Sequence, residues 1–283
     1  MDKLIAYLRL IRPINCLMMG FAVIVGAALA SPNVLSIVWK NLVYGFITGF
    51  MLTAASMAIN DYHDREIDAI NEPNRPIPSG LIMPKEALIF AMALMTIGLV
   101  SAYLTSISSF AIAIIAWAIF IAYTTFGKRT GLLGNFLVST CVVIPFIYGS
   151  IVVTNVVKSN VLIFVLMVFL SNTGREITKG IVDVQGDSMK NVKTLAVRYG
   201  ERTAAFVAAS FYISTILLSP IPPLLNLVSF WFIPLVAITD FGLIASSFSL
   251  LKDYSKENAK KVKNIVLLWF VIGLLAFFIG ALR

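Results

Sequence analysis

Carboxylates crowd into one short stretch of this chain, NDYHDREIDAINEPNRPIPSG at residues 60–80. It holds Asp61, Asp64, Glu66, Asp68 and Glu72, five of only 14 acidic residues. Glu176, Asp183 and Asp187 follow in REITKGIVDVQGD at 175–187. On a helix, side chains three or four positions apart share a face. Asn60, Asp64 and Asp68 fall at i, i+4 and i+8, and Asp61 joins Asp64 and Asp68 at i, i+3 and i+7; Glu176, Asp183 and Asp187 fall at i, i+7 and i+11. Each run can therefore aim several carboxylates along one stripe, where they repel one another and attract a cation. The donors are all oxygen, because Cys16 and Cys141 lie in apolar runs and His63 reads as a hydrogen-bonding loop residue. Such a set favours Mg2+, Mn2+ or Ca2+ over zinc or copper. Mg2+ uses one or two carboxylates and completes its shell with water and substrate phosphate. Two acidic helix ends flanked by basic residues suit a Mg2+–diphosphate complex. A lone aspartate would read as an ordinary solvated acid; two spaced runs in a chain nearly empty of acid elsewhere do not.

The elements that position these runs are set by composition. The chain is 59% hydrophobic and 13% charged, with a mean hydropathy of +0.91, whereas about a quarter of a soluble domain is charged. About 20 apolar residues span a bilayer as a helix. Nine such runs are legible, at roughly 14–30, 37–60, 87–105, 109–126, 133–154, 159–179, 203–220, 228–251 and 264–282. Their continuity excludes a β-barrel, whose strands would alternate over about 10 residues. The expected fold is an all-α integral membrane protein, nine transmembrane helices in one bundle, with residues 1–283 forming a single domain. "GAALAS" near the N-terminus resembles a signal-peptide cleavage site, but it also reads as small-residue packing in a retained first helix.

Lysine and arginine placement sets topology. The N-terminus and every second loop hold 19 of the 22 basic residues, leaving Lys40, Lys158 and Arg283 opposite. This predicts a multi-pass protein of the cell membrane with a cytoplasmic N-terminus and both acidic runs on the cytoplasmic side. The net charge of +8 thus reads as an orientation signal; no aromatic-basic patch supports a nucleic-acid partner, and no obligatory protein partner is evident.

Two motifs carry a family resemblance. NDYHDREID matches the N-D-x-x-D-x-x-x-D signature of the UbiA superfamily of intramembrane prenyltransferases, and DVQGD matches its second motif, D-x-x-x-D. INEPNRPIPSG resembles a branch that holds both chlorophyll synthases and enzymes acting on glyceryl phosphate lipids, and GREITKGIVDVQGD resembles the glyceryl phosphate members, with two departures: Gly180 stands where an Asp is expected and Val182 where Glu is common. The resemblance implies transfer of a geranylgeranyl group from geranylgeranyl diphosphate to the hydroxyl of geranylgeranylglyceryl phosphate. It implies Mg2+ held by Asp61, Asp64, Asp68, Asp183 and Asp187, with Asp64, Asp68, Asp183 and Asp187 most directly tied to catalysis. Asn60, Arg75, Lys128 and Arg129 are the expected diphosphate ligands. Arg12 and Lys193 are candidates for the acceptor's phosphate, and Tyr123, Glu176, Lys179 and Asp240 for the rest of the acceptor. The expected partners are then a prenyl diphosphate, a lipid-like acceptor and membrane lipid.

Bland readings stand beside several of these. Arg75 fits a turn stiffened by Pro76 and Pro78, Lys128 and Arg129 fit ordinary membrane anchoring, and Asp240, inside a span, fits a structural hydrogen bond as well as a functional role. Among rival functions, chlorophyllide or an aromatic quinone precursor are alternative acceptors. A cation-coupled transporter is the alternative from another class, but transporters place sites near the midplane within inverted repeats, whereas both runs here sit at helix ends. A CDP-alcohol phosphotransferase would need a D-G-x-x-A-R signature that the chain lacks.

Overall fold

The structure, a computed structural model, describes residues 3–190 and 192–282; Arg283 lies outside them. The described residues form helices α1 (Lys3–Ile11), α2 (Pro13–Ala30), α3 (Trp39–Asn71), α4 (Pro84–Thr105), α5 (Ile107–Thr125), α6 (Leu132–Thr154), α7 (Ser159–Val182), α8 (Val184–Met189), α9 (Leu195–Tyr199), α10 (Glu201–Leu218), α11 (Ile221–Leu224), α12 (Phe232–Lys252) and α13 (Lys256–Ala281). Nine segments among them are long and apolar enough to cross a bilayer: α2 to α7, Glu201–Leu224, α12 and α13.

Each spanning helix packs on the next, from α2 round through α7, α10 and α12 to α13, and α13 closes the ring on α2. The ring is pinched where α2 also meets α6. That approach needs glycine: a Cβ on Gly149 would collide with the Val23 carbonyl, and one on Gly26 with the backbone of Phe146. Lipid tails are as apolar as the side chains, so in a bilayer such close packing, not exclusion of water, holds helices together. An aromatic core on α6, α7, α12 and α13 follows, with Phe164 and Phe277 edge-on at 4.9 Å and both touching Phe232. The outward faces leave Ile89, Met92, Leu217, Phe241 and Phe248 exposed, as a surface solvated by lipid requires.

Three boundaries differ from the sequence reading, and all three matter to the site. The second spanning helix does not stop near residue 60; α3 runs to Asn71, because nothing in NDYHDREIDAIN breaks a helix until Pro73 disfavours it. The last begins at Lys256, not near 264, its first turn capped by the Ser255 hydroxyl accepting from the Asn258 amide at 3.3 Å. Hydropathy ends a span where charge begins, but helical structure continues past it. The third difference is α1, which packs Ala6 and Leu10 against Ile77, Ile82, Ala87 and Ala91. Pro13 ends it, since a residue before proline avoids the helical region. Arg12 takes up the break in a left-handed conformation, φ 53°.

Candidate active site

By the parity of the nine spans, the segments after α3, α5, α7 and α12 share one end of the bundle with α1. Both acidic runs meet there. Asp61, Asp64 and Asp68 lie on the end of α3, Asp183 caps α7, and Asp187 lies in α8. Asn71 clips the two runs together: its amide donates to the Asp183 carbonyl at 3.2 Å, and its oxygen accepts from the Gly186 amide at 3.0 Å. Gly186 must be glycine for this, since a Cβ there would come within 2.5 Å of the Asn71 side chain. Asn71 extends the Asp64–Asp68 stripe at i+7, a signal present in the sequence but left out of the sequence assignment. Asn71→Ala is expected to weaken Mg2+–diphosphate binding by about 10- to 100-fold, the usual effect of losing an outer-shell support, measurable by calorimetric titration.

Asp61 and Asp68 of the first run are buried and neutralised. Asp61 is 1% and Asp68 5% exposed. Arg12 Nη2 donates to Asp61 Oδ1 at 2.5 Å, while Arg75 Nη1 donates to Asp68 Oδ2 at 2.5 Å and to Asp61 Oδ1 at 3.5 Å. The turn after α3 explains how Arg75 gets there. Arg75 N donates to Glu72 O at 3.0 Å and Ser79 N to Arg75 O at 3.0 Å, so the proline-stiffened loop folds the guanidinium back on the helix that precedes it. The two readings of Arg75, rigid turn and charged ligand, are therefore one arrangement. Lys128, in the short turn Gly127–Thr130, pairs with Asp64.

The two aspartates of the second run are not neutralised in this way. Asp187 is 6% exposed, yet among the described residues no cation lies within ion-pair distance of Asp183 or Asp187. Burial, with Asp183 adding repulsion, pushes the Asp187 carboxyl up to about 7, and Lys128 and Lys179 offset this only in part. Buried carboxylates with too little positive charge and oxygen-only donors fit Mg2+. His63 is exposed, and the two cysteines lie in α2 and α6. No three Asp, Glu, His or Cys side chains among the described residues converge tightly enough to hold an ion, and Arg12, Arg75 and Lys128 pair with Asp61, Asp68 and Asp64. Were Asp187 to hold Mg2+, a proton would compete for it, because burial raises its carboxyl to about 7 and binding would have to expel that proton. Mg2+–diphosphate affinity is therefore expected to rise with pH and level off above about 7, with the dependence reduced in Asp187→Asn; titrations across pH 5.5–8.5 check this.

Behind the acidic ends lies a cavity of ≈ 280 Å³. Arg12, Asn15, Asn60, Arg75, Tyr123, Arg175, Glu176, Lys179 and Lys263 line its polar part, and Met18, Phe120, Phe146, Met167, Leu274 and Phe277 its apolar part. A second cavity of ≈ 90 Å³ shares Thr53, Ser56, Phe120 and Cys141 with it. Asp240 also lines the main cavity, accepting a 2.5 Å hydrogen bond from Ser219 Oγ. The structure thus gathers Arg12, Asn60, Arg75, Tyr123, Glu176, Lys179 and Asp240 on one cavity. Arg129 and Lys193 are exposed and do not line it: Arg129 follows Lys128 in a turn that aims only one of the two inward, and Lys193 meets Gly131 through its backbone carbonyl. Sequence reasoning missed Arg175 and Lys263 as site residues, because both count equally well as membrane-flanking charge.

A ring of membrane helices with two acidic ends beside a cavity that is cationic at one part and apolar at the other suits a diphosphate-bearing lipid substrate. Residues 19–280 match the UbiA prenyltransferase family, and the chain belongs to that family. The particular resemblance is to digeranylgeranylglyceryl phosphate synthases. The one from Archaeoglobus fulgidus is 37% identical over 278 residues, covering 96% of this chain and 94% of the relative. That from Methanocaldococcus jannaschii is 35% identical over 283 residues, covering 100% and 98%. A solved structure described as digeranylgeranylglyceryl phosphate synthase in membranes superposes with a TM-score of 0.73 at 34% identity, covering 100% of this chain and 99% of that one.

Proposed function

We propose that this chain transfers the geranylgeranyl group of geranylgeranyl diphosphate to the free hydroxyl of geranylgeranylglyceryl phosphate. The allylic C–O bond to diphosphate breaks, the hydroxyl oxygen bonds to the allylic carbon, the hydroxyl proton leaves, and diphosphate is released. The product is the second ether bond of an archaeal-type membrane lipid. The observation that carries the chemistry is the meeting of two acidic helix ends, clipped by Asn71, beside a cavity with a cationic and an apolar part. The full-length likeness to digeranylgeranylglyceryl phosphate synthases supports the acceptor.

Asp61, Asp64, Asp68, Asp183 and Asp187 are the residues that would hold Mg2+. When bound, Mg2+ supplies a Lewis acid for the charge that develops on the leaving diphosphate. Arg75 and Lys128, already drawn to these carboxylates, lie where they can donate to phosphate oxygens, and Asn60 lines the same cavity. Fixed donors aimed at developing charge need no reorganisation as the bond breaks. Phe120, Phe146, Met167 and Phe277 give the prenyl chain and its allylic cation dry walls, which slow capture by water. Tyr123, Glu176 and Lys179 face the acceptor. Residues 1–283 act as one domain. The N-terminus and the site face the cytoplasm, a placement supported by the concentration of lysine and arginine at that end of the bundle.

The test is transfer of labelled geranylgeranyl diphosphate by the purified protein to an acceptor panel, with Mg2+ or EDTA. Magnesium-dependent label in a double-chain phospholipid is expected. Label in a hydroxybenzoate, naphthoate or chlorophyllide product would replace the acceptor. Absence of transfer to any acceptor by folded protein would favour cation-coupled transport.

A further inference from the structure

The polar part of the cavity carries more positive charge than the diphosphate site explains. Five cations line it: Arg12, Arg75, Arg175, Lys179 and Lys263. Arg12 and Arg75 are spoken for by Asp61 and Asp68. The other three face a single carboxylate of the cavity wall, Glu176, which lies 3.5 Å from Arg175 Nη1 and 3.6 Å from Lys179 Nζ. Asp240, the other acid lining the cavity, accepts from Ser219.

Arg175 and Lys179 lie one turn apart on α7, and the long start of α13 brings Lys263 beside them: Arg175 Nε donates to the Lys263 carbonyl at 3.4 Å. Lys263 lies close enough to feel the charges of Lys179 and Arg175, and Asp183 and Glu72 act on it as well. Partly buried like charges are unfavourable unless an anion completes them. Among the described residues Glu176 is the one carboxylate within ion-pair distance of these three cations, with Asp183 and Glu72 acting on Lys263 from further off, so the cavity wall itself keeps an excess of positive charge. A phosphomonoester brings about 1.5 to 2 negative charges at pH 7, whereas a benzoate or naphthoate carboxylate brings one.

We propose that Arg175, Lys179 and Lys263 form a phosphomonoester-binding subsite that holds the acceptor's headgroup and selects it over carboxylate acceptors. Arg175 supplies a planar fork suited to phosphate, and the lysines supply point charges. This subsite rests on the reading of the chain as a prenyltransferase of glyceryl phosphate lipids and gives that reading its specificity determinant. Headgroup fixed here, the acceptor's hydroxyl is held beside the metal-binding aspartates while its tail joins the donor's in the apolar part of the cavity.

Steady-state kinetics on full-length Lys263→Gln and Arg175→Gln in lipid nanodiscs test it. The KM for geranylgeranylglyceryl phosphate is expected to rise about tenfold or more in each, as loss of a charge-assisted bond implies, with the KM for geranylgeranyl diphosphate unchanged. Lys263→Arg should restore much of the loss. With the phosphate-free acceptor geranylgeranylglycerol the variants should differ from wild type far less than with geranylgeranylglyceryl phosphate. Lys263→Gln leaves intact the backbone carbonyl that Arg175 grips, so it probes charge without loosening α7 from α13. An unchanged acceptor KM in both variants, or a rise in the donor KM instead, would overturn the subsite while the wild-type transfer stands. Wild-type protein that transfers label to no phosphate-bearing acceptor would overturn the subsite and the reading beneath it together.

Discussion

Asp64→Ala and Asp183→Ala are each expected to lower geranylgeranyl transfer by about a thousandfold or more while the protein remains folded in detergent. The magnitude follows from the loss of charge stabilisation in the transition state: a single misplaced donor costs about 10²–10³ in rate, and a metal supplies several kcal/mol. Folding should survive because neither change leaves a deeply buried partner behind. Asp64 is partly exposed and among the described residues pairs with Lys128, and the hydrogen bonds at residue 183 run through its backbone. Circular dichroism beside a labelled-transfer assay separates the two effects. Activity near wild type in both variants would mean that neither run holds the catalytic metal.

Arg75→Ala is expected to hurt both function and stability, for a different reason. Arg75 is the only described cation bonded to Asp68, and it shares Asp61 with Arg12. Burial works against its charge, but Asp68 and Asp61 outweigh burial and raise its pKa, so it stays charged at any working pH. Removing one member of a buried pair costs about 3–5 kcal/mol, because the other charge is left uncompensated. A large drop in Tm is therefore expected together with a loss of turnover. Arg75→Lys should recover part of the stability and less of the activity, since an ammonium cannot grip two carboxylates or a phosphate as a planar fork does. Thermal unfolding with and without Mg2+ reads the first effect and transfer kinetics the second.

Much of this was legible in the residues. Nine apolar runs correspond to nine segments among the described residues that are long and apolar enough to span, and the spacing of Asp61, Asp64 and Asp68 put them on the helix end that carries them. What hydropathy hid was helix beyond the bilayer. The extra turns of α3 bring Asn71 to Asp183 and Gly186, and those of α13 bring Lys263 into the cavity. Pattern also could not separate adjacent charges: Lys128 and Arg129 read alike, but a four-residue turn aims only the lysine at Asp64. The pairing of Arg12 with Asp61 spans 49 positions and depends on a backbone break at φ 53°, which no local signal records. Strained conformations of this kind are retained where surrounding structure enforces them and function uses them.

The central claim is that two acidic runs 100 residues and more apart in the sequence make one Mg2+–diphosphate site. A double-mutant cycle tests it most directly: calorimetric titration of Mg2+ with a non-reactive thio analogue of geranylgeranyl diphosphate into wild type, Asp64→Ala, Asp183→Ala and the double variant. Groups that act as a unit are strongly non-additive. Each single change is predicted to remove tight binding, with the double variant no weaker than either single. Binding losses that simply add, or tight binding that persists in one single variant, would contradict a shared site.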